Sequence, residues 1–353
     1  MPGVQLPENV ELLRTRVIVD RDRVYSVNGS DYPHQYPGIS NAWDLEEFKR
    51  NFKITINHLT PHSIEFDLIG VDASIANAFR RILIAEVPTM AIEKVYVINN
   101  TSIIHDEVLA HRLGLIPILA DPMAFQYRSE EDGPTDMNTL VFKLKVKCER
   151  NPNAAADETD PKKKYINSHV YSKDLIWEPK GIQAEKFKNN PIRPVHDDIL
   201  IAKLRPGQEI DMELHCHKGI GKDHAKWSPV ATASYRLLPE ITILQPITGD
   251  AAYRFQKCFP PGVVDVVEEN GQKVAKVVNP RKDTVSREVL RHDEFKDKVR
   301  LTRVRDHFIF KIESTGVIPP QDLFIHAVNV LKEKVKTMIP LLERATNHQN
   351  ISQ

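Results

Sequence analysis

The chain has 353 residues, with 48 lysines and arginines against 48 aspartates and glutamates. This length allows a large core in about two domains. The zero net charge provides no general attraction for nucleic acid, and no run approaches the ~18 apolar residues of a membrane span. Composition therefore argues against a basic nucleic-acid-binding protein and against a membrane-spanning one.

Cysteine usage points to a reducing compartment. Cys148, Cys216 and Cys258 are the only cysteines, which are too few and too scattered for a disulfide framework. The first 20 residues lack the apolar segment of a secretory signal. We therefore expect a soluble intracellular protein without a membrane partner.

The N-terminal part of the chain shows no clear periodicity. Met1 to Asp44 contains scattered prolines, so we expect an irregular extension that lies on a neighbouring chain or is partly disordered. Two strands are predicted next, over 53–57 and 63–70, with a turn at 58–62 between them.

An amphipathic helix is predicted over 74–87, capped by Asp72 or Ser74. Pro88 disfavours the helical conformation at Val87 and should end the helix there. Arg80 and Arg81 fall beside its apolar stripe, which consists of Ile75, Ala78, Phe79, Ile82 and Leu83.

A strand over 92–98 and a second, short helix follow the first helix. Asp106 is the expected N-cap of the short helix, Glu107 and Arg112 complement its dipole, and Gly114 ends it. On periodicity alone, these elements are ordinary helices and a strand packed on a core.

The middle of the chain reads mainly as strands. Alternating apolar residues predict strands over 139–148, 199–204, 208–217 and 228–237. The polar stretch Arg150 to Lys164 is expected to be a loop that includes three lysines. In the third strand, His215 and His217 should face away from the core, because the core face is formed by Ile210, Met212, Leu214 and Cys216.

A long helix is predicted near the C-terminus, beginning after Pro319 and Pro320. Its stripe could pack on its own domain, or it could bind the same surface of a second chain; the stripe width fits both interpretations. Its members are Leu323, Ala327, Leu331, Val335, Met338 and Leu342, widened by Phe324, Val328 and Ile339.

Two clusters could in principle bind a metal. His105, Asp106 and His111 contain ligand types of a metal-dependent phosphohydrolase, but Asp106 is expected to cap a helix and no clear fourth ligand is nearby. A zinc site from His215, Cys216, His217 and His224 is disfavoured, because Cys216 faces the core while His215 and His217 face away. We therefore expect no bound metal.

Other catalytic patterns are also missing from the sequence. Gly219 to Lys222 lacks the spacing of a phosphate-binding loop and the third glycine of a dinucleotide-binding turn. No Ser-His-Asp, Cys-His or paired-carboxylate arrangement can be read from the spacing. We expect no catalytic residue and no cofactor.

Three stretches of sequence carry a resemblance to one family. The segment from Asn77 onward, NAFRRILIAEVP, resembles the first helix of the dimerization domain in α-type assembly subunits of multisubunit RNA polymerases. The segment from His105, HDEVLAHRLGLIP, resembles the signature that follows this helix. Gly221 to Pro229, GKDHAKWSP, resembles the loop that returns the chain from the insert domain, and the likeness covers about residues 45–345.

The resemblance implies an α+β fold with a discontinuous α-type dimerization domain, in which helices pack on an antiparallel sheet. We expect this domain at 45–87 and 228–346, a mainly β insert domain at 88–227, an N-terminal extension at 1–44 and a tail at 347–353.

The resemblance also implies a non-catalytic scaffold that pairs with a small α-like subunit. That heterodimer would be the platform for the second-largest and largest polymerase subunits, without sequence-specific contact to nucleic acid. The small number of cysteines resembles the α-type subunit shared by RNA polymerases I and III, which support synthesis of rRNA precursor, 5S rRNA and tRNA in the nucleus, including nucleolus and nucleoplasm. An α-like subunit of another nuclear polymerase, or a free-standing adaptor of the same fold, are the alternatives.

The predicted functional site is therefore a partner interface. The long C-terminal helix of the family completes the dimer interface, and Arg80 and Arg81 are expected to pair with carboxylates of a large subunit. The full predicted interface comprises Phe79, Arg80, Arg81, Ile82, Leu83, His111, Arg112, Lys222, Trp227, Phe324, Val328, Leu331, Val335 and Met338.

Overall fold

Long strands and a few helices make up the structure, a computed structural model that describes residues 8–25, 27, 42–129, 131–155 and 157–351. The described residues form eight α-helices and eighteen strands, with short 3-10 turns between some of them. The helices are α1 (Glu8–Thr15), α2 (Leu45–Asn51), α3 (Ala73–Ala85), α4 (Asp106–Gly114), α5 (Pro161–Lys164), α6 (Gln183–Lys186), α7 (Asp250–Lys257) and α8 (Pro320–Ile351). The strands are β1 (Arg16–Val19), β2 (Val24–Tyr25), β3 (Lys53–Leu59), β4 (Ser63–Ile69), β5 (Thr89–Asn100), β6 (Ile118–Leu119), β7 (Leu140–Lys147), β8 (Glu149–Arg150), β9 (Tyr165–Ile166), β10 (His169–Tyr171), β11 (Ile176–Glu178), β12 (Arg193–Pro194), β13 (Leu200–Lys203), β14 (Glu209–Gly219), β15 (Val230–Ile243), β16 (Val264–Glu269), β17 (Gln272–Val277) and β18 (Val299–Ser314).

The described residues fall into two compact units. The first contains the residues up to His58 together with Glu65–Asn77 and Ser234–Lys311, and the second contains Leu59–Ile64, Ala78–Ala233 and the residues from Ile312 onward. Neither unit is one continuous piece of chain.

A six-stranded sheet dominates the first unit. Its strand order is β2-β1-β18-β4-β3, with β15 also paired to β18. The rings of Phe66 on β4 and Phe310 on β18 stack with their centroids 5.4 Å apart. A separate apolar cluster surrounds Phe255 of α7 and Phe295, whose ring centroids also lie 5.4 Å apart.

The second unit is built on an antiparallel four-stranded sheet in the order β11-β7-β14-β5. The core face of β14 presents the fully buried Ile210, Met212, Leu214 and Cys216, as predicted. Leu109 and Leu113 of α4 belong to the same core. The alternating pattern therefore predicted which face of this strand lies in the apolar core, since side chains alternate along a strand.

The first amphipathic helix and the hairpin before it are confirmed. Strands β3 and β4 and helix α3 lie within two residues of their predicted bounds. Of the two candidate caps for α3, Asp72 performs the role, because its Oδ1 accepts a hydrogen bond from the Ser74 backbone nitrogen at 2.8 Å.

The capping role predicted for Asp106 is wrong. The N-cap of α4 is His105, which makes no side-chain capping bond, and Asp106 is the first helical residue. The Asp106 carboxylate instead accepts a hydrogen bond from Asn100 Nδ2 at 2.7 Å. A side-chain hydrogen bond to the last residue of β5, six positions earlier, therefore replaces the cap.

The irregular structure predicted for Met1 to Asp44 is wrong for Glu8 to Tyr25. Strand β1 pairs antiparallel with β18, and the Arg305 guanidinium donates to the carbonyls of Leu13, Arg14 and Arg16. These contacts join residues almost 300 positions apart, which local sequence cannot show. Residues 1–7, 26 and 28–41 lie outside the described residues.

Two further elements differ from the prediction. Lys162 to Lys164 lie in the single helical turn α5, which Asp160 caps through the Lys162 backbone nitrogen, so this end of the predicted loop is helical. Helix α8 has 32 residues instead of about 20 and includes Pro340. No helix among the described residues is both long enough and apolar enough to cross a membrane.

Candidate subunit interface

Helices α3 and α8 lie side by side in the second unit. The rings of Phe79 and Phe324 are 4.9 Å apart, and Lys334 Nζ lies 2.8 Å from a Glu86 carboxylate oxygen. The second contact lies further along the chain than the first in both helices, from Phe79 to Glu86 and from Phe324 to Lys334. The two helices therefore run in the same general direction.

Only the first part of α8 is anchored in the core. Leu323 and Ala327 are fully buried, and Phe324 is half-buried. Every residue from Lys332 to Ala345 is exposed. At 1.5 Å per residue, this leaves roughly 20 Å of helix without a core of its own.

The predicted apolar stripe begins at the buried Leu323 and Ala327 and continues into the exposed part of α8. Val328, Val335 and Met338 are 40%, 49% and 56% exposed, and Leu331 is half-buried. Ile339, Leu341 and Leu342 are exposed as well. Of the two interpretations left open, packing on the chain's own domain therefore accounts only for the beginning of the helix.

Helix α3 contributes buried side chains beneath the exposed surface of α8 and few apolar side chains to that surface itself. Ile82 and Leu83 are packed inside the chain, and Phe79 is buried against Phe324. The side chains of Ile82 and Leu83 have almost no exposed surface in the isolated chain, and the direct partner contact expected of them stays a prediction. Arg81 is exposed and Arg80 half-buried, whereas Ile75 is exposed although it was placed in the apolar stripe.

The loop after β14 packs on the end of α3. The Lys222 backbone nitrogen donates to the Ala85 carbonyl at 2.8 Å, and the Lys222 side chain is exposed. Gly221 lies so close to the Ile84 carbonyl that a Cβ atom there would overlap the oxygen. This loop therefore fixes the position of the α3 end while presenting a lysine to solvent.

Trp227 holds the other side of the same loop. The residue is buried, its Nε1 donates to the His217 carbonyl at 3.0 Å, and its ring occupies the space beside Gly219. Trp227 therefore stabilises the loop from inside, and the direct partner contact expected of it stays a prediction.

His111 and Arg112 lie on α4. The Arg112 guanidinium donates to the carbonyls of Ile201 and Leu200 at 3.1 and 2.7 Å, tying α4 to β13. His111 is exposed, and its ring centroid is 6.0 Å from that of His224. Both residues belong to the second unit, but Arg112 already has a structural role.

The histidines of β14 face away from Cys216, as predicted, yet they are buried. His217 is 8% exposed, and Arg128 Nη1 donates to its Nε2 at 2.8 Å. Burial and the nearby Arg128 charge lower the pKa of His217 to about 4. Burial also raises the pKa of the Cys216 thiol.

Metal-ligand types are not gathered into a site in the described part of the chain. No group of three or more His, Cys, Asp or Glu side chains among those residues is placed to hold a metal ion. Asp106, one candidate ligand, is bonded to Asn100, and His215 Nε2 lies 2.9 Å from Glu213 Oε1.

One contact of this region could not be found from the sequence. Glu86 and Lys334 are 248 positions apart, and neither carries a local signal beyond being charged. The ion pair joins the end of α3 to the point where α8 loses contact with the core, so it positions the exposed part of α8.

The model of the RNA polymerase Rpb3/Rpb11 dimerisation domain matches residues 65–335, which is more than half of the chain. The chain belongs to this family. The membership expected from the three sequence stretches is thereby confirmed, as is the α+β fold with helices and antiparallel sheets.

Curated relatives of this family match almost the whole chain. A Bos taurus protein, DNA-directed RNA polymerases I and III subunit RPAC1, is 57% identical over 95% of this chain and 97% of its own length. The Saccharomyces cerevisiae subunit of the same name is 52% identical over 90% of this chain and 96% of its own. The Arabidopsis thaliana DNA-directed RNA polymerases II, IV and V subunit 3 is 33% identical over 83% of this chain and 92% of its own length.

Proposed function

We propose that this chain is a non-catalytic scaffold subunit shared by RNA polymerases I and III. It forms a heterodimer with a small α-like subunit, and the heterodimer is the platform on which the second-largest and largest subunits assemble. The observation that carries the dimerization step is the exposed part of α8, with its apolar stripe outside the core.

Exposure of an apolar helix face of this kind to water is energetically unfavourable. Large exposed apolar patches on soluble proteins mark interaction sites, and each Å² of apolar surface removed from water contributes roughly 25 cal/mol. A second chain with a matching helical face would bury Val328, Val335 and Met338 together. The family model, which describes a dimerisation domain, supports this arrangement.

The assignment to polymerases I and III depends on the sequence identity to named relatives. Relatives named as subunits of polymerases I and III are 52% and 57% identical to the chain, against 33% for one named as a subunit of polymerases II, IV and V. Such subunits work in the nucleus, and polymerase I also implies the nucleolus. We place the dimerization domain at 45–87 and 228–346 and the insert domain at 88–227.

The heterodimer is tested by Val335→Asp in the full-length chain, co-expressed with the small α-like subunit. A charge buried unpaired in an apolar seam is strongly destabilising, so co-purification should fall at least tenfold. Val335 is exposed in the isolated chain, so its substitution should leave folding intact; Leu331→Asp should act in the same direction.

The matched control is Asn329→Asp, which adds the same charge to an exposed position of α8 off the apolar stripe. It should co-purify like the unmodified chain. If Val335→Asp keeps its partner while its thermal unfolding is unchanged, α8 is not the dimer interface.

The polymerase assignment is tested by tagging the chain in its native source and identifying every stoichiometric partner. Large subunits of both polymerases I and III, with one small α-like chain, are expected. Recovery of polymerase II subunits alone would overturn the assignment, and absence of any polymerase subunit would favour a free-standing adaptor.

A further inference from the structure

An aromatic ladder lies on the surface of the first unit, in the segment that leads into the edge strand β3 of the six-stranded sheet. The ring centroids of Trp43 and Phe48 are 5.0 Å apart, and those of Phe48 and Phe52 are 5.2 Å apart. Helix α2, which carries Phe48, has no buried residue, and Trp43 is 73% exposed. These rings therefore pack on one another at the surface and not in a core.

Strand β3 continues this apolar surface and is the last strand of its sheet. All seven of its residues are exposed, including Ile54 at 42% and Ile56 at 56%. Among the described residues, β3 is paired with β4 on one side only. Its outer edge therefore presents backbone N–H and C=O groups to solvent beside aliphatic side chains.

This surface is firmly attached, although it buries little. The Asp44 side chain accepts hydrogen bonds from the backbone nitrogens of Glu46 and Glu47 at 2.8 and 3.1 Å, which caps α2. Gly70, with a φ of 76°, lies against the Asn51 carbonyl, where a Cβ atom would be 2.5 Å from the oxygen. The corner between α2 and β3 is therefore held against the end of β4 and is not a frayed terminus.

Exposed strand edges are usually protected in native proteins, because they can pair with other chains. Charged side chains, proline and bulges are the common protecting devices. Between Ile54 and His58 the strand has no charged carboxylate, lysine, arginine or proline; Lys53 alone precedes it. The edge therefore lacks the usual protection against pairing at the place where its side chains are most apolar.

We propose that this edge surface, formed by Trp43, Phe48, Phe52, Ile54 and Ile56, receives an extended segment of another subunit of the same assembly as an additional strand. The inference rests on the proposed function, which supplies the assembly. The backbone of the segment pairs with β3, and its apolar side chains, at every second position, contact the isoleucines and the aromatic ladder.

The length of β3 determines what kind of partner fits. Seven residues span about 23 Å. One strand added along such an edge buries much less surface than the roughly 1,600 Å² of a standard protein–protein interface. A freely diffusing protein would bind such an edge weakly. A segment tethered to a subunit that is already held elsewhere in the assembly has a high effective concentration, so the short edge suffices.

Hydrogen–deuterium exchange provides the test. The purified heterodimer with the small α-like subunit is compared with the complete polymerase purified through the same tagged chain. We expect the backbone amides of 53–59 to exchange at least tenfold more slowly in the complete polymerase than in the heterodimer. Unchanged exchange in a complete, correctly composed polymerase would overturn the proposal and leave the scaffold function intact.

Cross-linking identifies the occupant. A photoreactive phenylalanine analogue replaces Ile56, and the same analogue replaces the exposed Ile176 on the edge strand of the other sheet as a control. The expected result is one predominant cross-link from position 56 to an extended segment of another subunit. Cross-links to residues 28–41 of this chain, or to a second copy of it, would overturn the proposal.

A double substitution in β3 distinguishes loss of the proposed partner contact from loss of folding stability. Ile54→Thr with Ile56→Thr keeps the β-branched side chains that favour a strand but removes apolar contact area. The double variant should retain its small partner and its thermal midpoint while the protection of 53–59 falls at least threefold. Ile176→Thr should leave that protection unchanged; unaltered protection in the double variant would rule out the apolar contact.

Discussion

Arg281 donates to both carboxylate oxygens of Asp67, a residue on β4 that is 7% exposed. Arg281 also donates to Glu65 at 3.0 Å, and His307 Nε2 lies 3.0 Å from Asp67 Oδ2. Burial raises the pKa of Asp67, but the interactions with Arg281 and His307 outweigh it and hold the pKa below its usual value. The contact ties the segment after β17 to the large sheet.

Arg281→Gln should destabilise the chain, because it leaves a buried carboxylate without its bidentate partner. Breaking a buried ion pair from one side costs about 3–5 kcal/mol, and we expect the lower end because His307 remains. The free energy of unfolding by denaturant measures the effect. Arg254→Gln removes an exposed pair with Glu294 and should lower the free energy of unfolding far less, because solvent screens the two charges.

A double variant then assigns the loss to the pair. Arg281→Gln combined with Asp67→Asn removes both charges, so its free energy of unfolding should exceed that expected from adding the two single losses. Additive losses would show that Arg281 acts mainly through packing.

His217 should make the second unit sensitive to mild acid. Its folded pKa of about 4 lies below the ordinary value of 6.5, so the unfolded chain binds this proton at higher pH than the folded chain. Stability is therefore fully present above pH ~6.5 and is lost as pH falls toward 4, by up to roughly 3 kcal/mol.

Urea unfolding at pH 7.5 and pH 5.0 measures this loss. His217→Gln, whose amide oxygen can still accept from Arg128, should reduce the difference between the two pH values by roughly 2 kcal/mol. His105→Gln, at an exposed histidine, should leave the difference unchanged. Equal pH dependence in all three proteins would mean that His217 titrates normally.

Gly221→Ala should loosen the end of α3. A Cβ atom at this position would overlap the Ile84 carbonyl oxygen, and backbone atoms there cannot move without shifting the helix end. Forcing such an overlap typically costs 1–3 kcal/mol.

The matched control is Gly133→Ala, where nothing lies within 4 Å of the added methyl group. Its thermal midpoint should equal that of the unmodified chain. A Gly221→Ala protein of unchanged stability, which still forms the heterodimer, would show that the loop can move away from α3.

Arg80→Ala with Arg81→Ala tests the predicted contact to a large subunit. The heterodimer should form normally, while recovery of the second-largest subunit in a tagged pull-down should fall at least fivefold, since arginine pairs well with carboxylates. Arg112 is a useful comparison, because it binds backbone carbonyls of its own unit. Arg112→Ala should therefore lower the free energy of unfolding of the chain, while recovery of the second-largest subunit by the folded variant should be unchanged.

Local physics explains which elements could be read from the sequence. The alternation of Ile210, Met212, Leu214 and Cys216 predicted the core face of β14, and Pro88 predicted the end of α3 to within two residues. Both signals depend only on neighbouring residues. The exposed stripe of α8 was found for the same reason, although not its full length.

Non-local contacts explain most of the errors. Strand β1 forms because β18 pairs with it, and β18 itself, a 16-residue strand, was missed. Asp106 had the residue type of a cap, but its carboxylate accepts a hydrogen bond from Asn100, only six positions earlier, so this error has a local cause. Burial of Ile82 and Leu83 could not be distinguished from partner contact, because apolar residues at helical spacing suit both; the burial of Trp227 in the loop after β14 carries no local signal.

The exposed part of α8 also has a consequence for a copy of the chain that has not met its partner. Exposed apolar patches promote aggregation and removal by cellular chaperones and proteases, so under the proposed function an unassembled copy should be degraded faster than an assembled one. Depletion of the small α-like subunit should shorten the half-life of the chain in a pulse-chase measurement, while the variant Val335→Asp with Met338→Asp, whose α8 surface is less apolar, should be less affected. The amount of this subunit in the cell would then follow the supply of its partner, without any separate control of its synthesis.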